Sequence, residues 1–348
     1  MTFIVDADYP FNKQSADIIF RTSDHVDFHV HKCILSEASP LFDTMFTLPQ
    51  PGGQQVASST LLRAAPSAVD CVQETKHGRP VIEVTETAAG FGLLLRLCYP
   101  YETPKTDDLD QATAALSAAV KYDMAGPTKL LAPRLREFAA TCPLRVYAYA
   151  VRNEMEEEAR FAASASLRLA IKDLELQQEQ GEIEISATAY QTLIRYVLQC
   201  QTETAALATD FTWIPGLPGL PYEVYDPMTG DTRAEWHEDT DYEPPWFSCR
   251  TCPAHDEKVR VSSYEVPFTP RIWLISLLEK VQKRLSERPF GAVFLEWPFL
   301  DQAILGSDPT CRTCRDPRTS GVLRAFARHL AIEVDRKTAE IASSMTFC

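Results

Sequence analysis

Apolar and polar residues alternate over Val26-Asp27-Phe28-His29-Val30-His31, the period of a half-buried strand. Just before it, Asp17-Ile18-Ile19-Phe20-Arg21 is a short apolar run, and Thr22-Ser23-Asp24 supplies turn chemistry, so the two runs predict a hairpin. The period then lengthens. Cys33-Ile34-Leu35 opens a helical stretch, and Ser39 before Pro40 marks a further helix start, with a capping hydroxyl followed by proline at the first helical position. Leu41, Phe42, Met45 and Phe46 share one face of that helix and are expected in the core. Residues 49–80 show no clear period and read as a surface loop or insertion. Val81-Ile82-Glu83-Val84 predicts a third strand. Phe91, Leu94, Leu95, Leu97 and Cys98 then mark a helix ending near Tyr99-Pro100. Further helices are expected from Leu109 to Met124, stopping at Gly126-Pro127, and from Thr128 to Phe138.

From Cys142-Pro143 onward the pattern stays helical. Leu144, Val146, Tyr147 and Val151 form one stripe, Glu154 to Lys172 gives the next helix, and Ala187 to Leu207 a third with Tyr190, Leu193, Ile194, Val197 and Leu198 facing inward. The acidic start at Glu154, Glu156, Glu157 and Glu158 suits the positive end of a helix dipole. Residues 211–269 carry little helical pattern but many Pro, Trp and Tyr, which predicts an ordered loop packed on helices. Thr269-Pro270 caps a helix from Arg271 to Arg288, and Gly321 to Ser343 makes the last one, with Leu323, Phe326, Leu330, Ile332 and Val334 apolar. No period of 20–50 residues repeats, which excludes a solenoid.

A length of 348 residues suggests two or three domains, with boundaries near 140 and 210. Composition narrows the function classes. With 45% hydrophobic and 24% charged residues the chain is of ordinary globular type. Lys plus Arg is 34 against 48 for Asp plus Glu, a net charge of −14, so no general attraction for a phosphate backbone or an anionic lipid surface is expected. The basic residues between Arg312 and Arg336 are interleaved with acids, which weakens a nucleic-acid reading further. No run approaches the ~18 apolar residues of a membrane span. The N-terminus lacks a basic flank followed by an apolar core, so no secretory signal is expected and the chain is placed in the cytoplasm or nucleus. There thiols stay reduced, and the ten cysteines read as thiols or metal ligands rather than disulfides.

Several of these segments occur in a familiar order. Asp17-Ile18-Ile19-Phe20 resembles the first strand of the BTB/POZ family. Phe28-His29-Val30-His31-Lys32-Cys33-Ile34-Leu35 resembles its F-x-x-H-K-x-x-L signature, and Ser39-Pro40-Leu41-Phe42-Asp43-Thr44-Met45-Phe46 its S-x-x-F-x-x-M-F helix. Val81–Val84 and Phe91–Tyr99 resemble the later strand and the F-x-x-x-L-x-x-x-Y helix. The resemblance implies an α+β fold: a BTB/POZ domain over residues 10–140, built as a short sheet with a helical cluster and carrying an unusually long insertion at 49–80, followed by a mostly α-helical region. Pro143–Ala150 with Glu157–Ala163 is similar to the helical, BACK-like extension that follows this domain in many fungal proteins, here over 141–210. Residues 211–348 carry no such resemblance and read as a Pro- and aromatic-rich loop plus C-terminal helices with the paired Cys motifs. In this family the His31-Lys32 pair supports the fold, and Asp17 is structural or near the dimer interface. Implied partners are a second copy of the chain through the BTB domain, a cullin scaffold for ubiquitin transfer, and client proteins.

The cysteines supply the sharpest local chemistry. Cys249-Arg250-Thr251-Cys252 and Cys311-Arg312-Thr313-Cys314 are the same tetrapeptide. A two-residue gap lets both thiolates of a pair reach one tetrahedral metal, and two pairs complete a four-sulfur zinc site. His255 and His237 are substitute ligands. The 58 residues between Cys252 and Cys311 exceed the spacing of compact zinc ribbons, and four reduced thiols meeting by chance is the plain alternative. A redox-active dithiol is a third reading; it needs a thiol at a helix N-terminus after a strand, a context neither pair shows. Cys33, Cys71, Cys98, Cys142, Cys200 and Cys348 stand alone and read as small apolar fillers. Glu235, Glu238, Asp239, Asp241 and Glu243 form an acidic cluster that is more often solvated than ligating. No nucleophile-elbow, P-loop, dinucleotide or zinc-protease motif is present. The expectation is a non-enzymatic homodimerising adaptor or scaffold, the rival being an activity built on the C-terminal Cys pairs.

Overall fold

The computed structural model describes residues 3–48, 74–101, 106–179, 183–210, 222–225, 232–235, 244–259, 269–295 and 297–348. The chain divides into two compact units, Met1–Phe138 and Ala139–Cys348. Among the described residues no helix is long and apolar enough to cross a membrane.

In the first unit the elements run β1 (Val5–Asp6), β2 (Ile18–Arg21), β3 (Val26–Val30), α1 (Lys32–Ala38), α2 (Pro40–Thr47), β4 (Thr75–Lys76), β5 (Arg79–Glu83), α3 (Ala88–Cys98), α4 (Leu109–Lys121), α5 (Ala125–Leu131) and α6 (Leu135–Phe138). One sheet holds the strands in the order β1-β3-β2-β5-β4. The predicted hairpin is antiparallel, with Ile18 opposite Val30 and Phe20 opposite Phe28. That register sends Ile18, Phe20, Phe28 and Val30 to one face. There the rings of Phe20, Phe28, Phe42 and Phe91 meet at centroid distances of 5.4–5.7 Å, a tilted and edge-on cluster favoured by the ring quadrupoles.

The other face carries Ile19, Arg21, Asp27 and His29. Asp27 is fully buried, yet Arg21 donates to both its carboxylate oxygens, at 2.7 and 3.1 Å, and Lys76 reaches it at 2.7 Å. Burial alone would raise its pKa, but these two cations hold it below the ordinary carboxylate value. Lys76 also binds Asp6, and Arg79 donates to His29 Nδ1, leaving His29 Nε2 to face Asp6 at 3.0 Å. Strands β1 and β4, at the two edges, are thus tied to the centre by ion pairs.

Strand β4 lies inside the stretch the pattern reads as loop. Its hairpin with β5 turns at His77-Gly78, both at positive φ (54° and 73°), the geometry of a tight two-residue turn. Two strand residues, Thr75 and Lys76, are too few to show a period; residues 49–73 lie outside the described ones. Asp17 caps the start of α1, its carboxylate accepting from the Lys32 N–H at 2.8 Å, and His31 is braced by Tyr99 and Ser15. Ser39 caps α2 by accepting from the Phe42 N–H. On α2 the expected core face is narrower than predicted: Phe42 is buried at 1% exposure, Met45 and Phe46 are half-buried, and Leu41 is 44% exposed. The amphipathic stripe therefore presents an apolar rim to the surface. Gly126-Pro127 does not stop a helix but sits in the first turn of α5, where proline costs nothing; Asp123, at φ 51°, makes the break.

The second unit runs α7 (Pro143–Arg152), α8 (Glu156–Ser166), α9 (Ile171–Glu179), α10 (Ala187–Leu207), a hairpin β6 (Tyr222–Tyr225) and β7 (Thr232–Glu235), α11 (Pro245–Ser248), α12 (Ile272–Glu287), α13 (Trp297–Leu305) and α14 (Pro317–Ser344). The predicted Glu154–Lys172 helix breaks into α8 and α9, and Glu154 lies outside both at φ 55°. On α10 the buried stripe is Ala189, Leu193, Tyr196, Val197 and Cys200, rotated from the expected one; Leu198 is exposed. Ile332 of α14 is likewise exposed, although Leu323, Phe326, Leu330 and Val334 are buried as expected. Gly291 lets its turn touch α14: a Cβ there would collide with the Ala331 backbone.

The contrast on α2 yields a direct test. Phe42→Ala is expected to cost about 3–5 kcal/mol, the loss of a fully buried ring. Leu41→Ala, one position away, should cost no more than about 1 kcal/mol in the same urea titration.

Candidate metal centre

Each Cys-Arg-Thr-Cys tetrapeptide folds as a tight knuckle because its own amides turn inward. Cys249 caps the end of α11, and the Thr251 and Cys252 N–H groups both donate to Cys249 Sγ at 3.3 Å. In the second knuckle the Cys314 N–H donates to Cys311 Sγ at 3.3 Å. A further amide, Asp308 N–H, reaches Cys252 Sγ at 3.4 Å from the loop before the second pair.

These knuckles meet. The four sulfurs lie within 4.8 Å of one another, and Cys249 Sγ is 3.4 Å from Cys311 Sγ. That separation is far beyond a disulfide bond. For Zn–S bonds of about 2.3 Å a tetrahedron has S···S edges of about 3.8 Å, a length the cluster brackets. All four residues are buried, at 0–3% exposure.

The surroundings fix both loops. Trp246 packs edge-on against Trp273 and Phe326, with centroids 6.2 and 5.7 Å away. The Arg271 N–H donates to Trp246 O, the Ile272 N–H to Pro253 O, and the Arg271 guanidinium to Cys252 O, so the start of α12 clasps the first knuckle. Arg315 reaches the carbonyls of Leu305, Ser307 and Asp308, and Asp316 caps α14 directly after the second knuckle. The cysteines belong to one apolar cluster with Leu274, Leu277, Leu323 and Phe326.

The electrostatics of the group is compatible with a cation. Burial pushes Cys252 up to about 11, against the pull of the Asp308 amide, and drives Cys314 higher still. Burial also acts on Cys311, but the Cys314 amide and the neighbouring sulfurs outweigh it and bring that thiol down to about 7. Cys311 is thus pulled towards its thiolate while Cys252 and Cys314 resist ionisation. A bound dication reverses that resistance, because it stabilises every thiolate at once. The indole N–H groups of Trp246 and Trp273 are buried without an acceptor at bonding distance, and the Trp273 side chain acts on Cys314 in the sense that favours its thiolate. Once deprotonated, four sulfurs with backbone N–H groups aimed at Cys249, Cys252 and Cys311 would form a donor set that fits a zinc ion.

Of the other sequence candidates, His255 is not part of the four-sulfur group. His255 is half-buried, and its Nδ1 accepts from the Glu257 N–H at 3.2 Å. Glu235 ends β7, and His237, Cys71, Glu238, Asp239, Asp241 and Glu243 lie outside the described residues. Of the basic stretch, Arg318, Arg324 and Arg336 pair with Asp316, Asp301 and Glu333. The amide of Asp308 and the indole of Trp273 were beyond sequence reasoning. Neither carries a motif signal, since one acts through the backbone and the other looks like a helix core residue.

Comparison with known proteins gives one family. The family model of the BTB/POZ domain matches residues 9–138. No curated protein matches the chain.

Burial of the four sulfurs predicts their reactivity. Under native conditions a thiol reagent should label the exposed Cys33 and Cys348 quickly, and Cys249, Cys252, Cys311 and Cys314 only after unfolding, as read by peptide mapping.

Proposed function

Because residues 9–138 are a BTB/POZ domain, we propose that the chain is a non-enzymatic adaptor or scaffold that joins a common partner to a specific client. The domain, an interaction module, is the observation that carries this reading. It homodimerises and docks a cullin scaffold, and the helical second unit presents the client surface. Its compartment is the cytoplasm or nucleus, where the Cys pairs stay reduced. Affinity purification of the full chain from its native cells, with mass spectrometry, tests this reading. A near-stoichiometric cullin is the expected result. A self-associated chain with some other constant partner and no cullin would leave the scaffold alone, and a monomer with no constant partner would remove both.

Cys249, Cys252, Cys311 and Cys314 hold one structural zinc ion in this reading. The ion neutralises the thiolates and clamps the α11 loop to the start of α14. A redox role for the same thiols is the rival. Exchange needs an accessible sulfur, and the four at 0–3% exposure offer none to a protein substrate, which favours the structural ion. About one zinc per chain is expected on elemental analysis. Cys252→Ser or Cys314→Ser should remove it and lower stability by more than about 4 kcal/mol. A metal-free, fully folded chain with a titratable dithiol would support the rival.

A further inference from the structure

Three of the four sulfurs have a main-chain amide aimed at them. Cys249 Sγ accepts from the Thr251 and Cys252 N–H groups, Cys311 Sγ from the Cys314 N–H and Cys252 Sγ from the Asp308 N–H, at 3.3–3.4 Å. Among the described residues no amide reaches Cys314 Sγ, which instead points its own weak S–H towards Pro245 O, 3.9 Å away. Cys314 is also the most deeply buried of the four. As a thiolate it has no proton to donate to Pro245, and a buried anion without a hydrogen-bond donor is costly.

A side chain able to serve that sulfur is in place. Trp273 sits in the first turn of α12 at 4% exposure, and its indole nitrogen is buried with no acceptor at bonding distance. An indole N–H only donates, and a buried one usually finds a partner. The ring belongs to the same apolar cluster as the cysteines and stands edge-on to Trp246, at 6.2 Å and 85°. Its side chain interacts with Cys314 in the sense that favours the thiolate. An indole N–H without an acceptor therefore lies beside the one sulfur without a backbone donor. The main chain next to Trp273 already holds the first knuckle, through the Arg271 and Ile272 N–H groups.

We propose that Trp273 is the fourth donor of the site: when the four sulfurs hold a metal ion, the indole Nε1–H donates to Cys314 Sγ and orients that sulfur towards the ion. Trp273 is a positioning residue, because it touches a ligand and not the metal. The first turn of α12 then joins the two Cys pairs, the first by its backbone and the second by this side chain. The inference rests on the zinc reading above and adds to it a residue outside the ligand set.

The test uses full-length chain loaded with a magnetically active cadmium isotope in place of zinc. A hydrogen bond onto a metal-bound sulfur carries scalar coupling from the metal to the donated proton, which packing alone cannot produce. The Trp273 indole proton, assigned through its own ring, should show that coupling in the unaltered chain. Trp273→Phe keeps an aromatic ring and loses the N–H; it should bind zinc about 10–100-fold more weakly in competition with a chromophoric chelator. Trp246→Phe, which removes the other buried indole of the cluster, should bind nearly as tightly as the unaltered chain. Cadmium uptake without coupling to the Trp273 indole would overturn the inference, leaving the zinc reading in place and Trp273 a packing residue. Equal losses of affinity in the two phenylalanine variants would overturn it in the same way. A folded chain that takes up no cadmium would remove the zinc reading and this inference together. The coupling needs no variant, so a Trp273→Phe chain that fails to fold does not remove the test.

Discussion

Cys249 and Cys311 stand 62 positions apart in the chain, yet their sulfurs approach to 3.4 Å inside an apolar core. Much of the second unit follows from that meeting. The loops that carry the knuckles have no hydrophobic period to hold them, and they sit where they do because Trp246, Trp273 and the first turns of α12 and α14 close around the four sulfurs. Buried sulfur is cheap as a thiol and costly as a thiolate. The backbone nevertheless aims amides at the sulfurs of Cys249, Cys252 and Cys311, an arrangement of little value to neutral thiols, which accept hydrogen bonds weakly, and of much value to thiolates. Those amides suit the charged form, which a bound cation would stabilise.

In the first unit a buried charge is met by side chains of opposite sign. Asp27 is as deeply buried as the cysteines, but its charge is met by Arg21 and Lys76 side chains. Removing one partner there would strand a buried charge, which is why such networks are sensitive to single substitutions. The opposite face of the same sheet is apolar, with Ile18 and Val30 beside the Phe20 and Phe28 rings. The two faces divide the labour: ring packing supplies apolar burial, and the ion pairs fix which short edge strands join the sheet.

How much was legible in the sequence varied with the kind of signal. The hairpin of β2 and β3 was legible because alternation over Val26–Val30 repeats enough times to show a period. Ser39-Pro40 announced α2 through capping chemistry, and the repeated Cys-Arg-Thr-Cys announced the cluster through spacing. Strand β4 was not legible, because two residues held by ion pairs leave no hydrophobic trace. Helices α10 and α2 were placed correctly, but the face of α10 was rotated and that of α2 set too wide: Leu198 and Leu41 fit the helical stripe and still face outward, since periodicity marks a direction and tertiary contacts decide where burial ends. Helix α13 was missed altogether. Of the cluster, the ligands could be named from sequence, but the Asp308 amide and the Trp273 indole could not, because they act through long-range placement.

The central claim is that the four cysteines form one tetrahedral thiolate site around which the second unit is organised. Cobalt substitution tests it most directly. Titrating metal-free chain with Co(II) under reducing, anaerobic conditions should give strong visible d–d bands and thiolate-to-cobalt charge transfer that saturate at one equivalent, both lost in Cys311→Ser. A folded chain that takes up no cobalt, or binds it only with the weak spectrum of an octahedral oxygen site, would contradict the account.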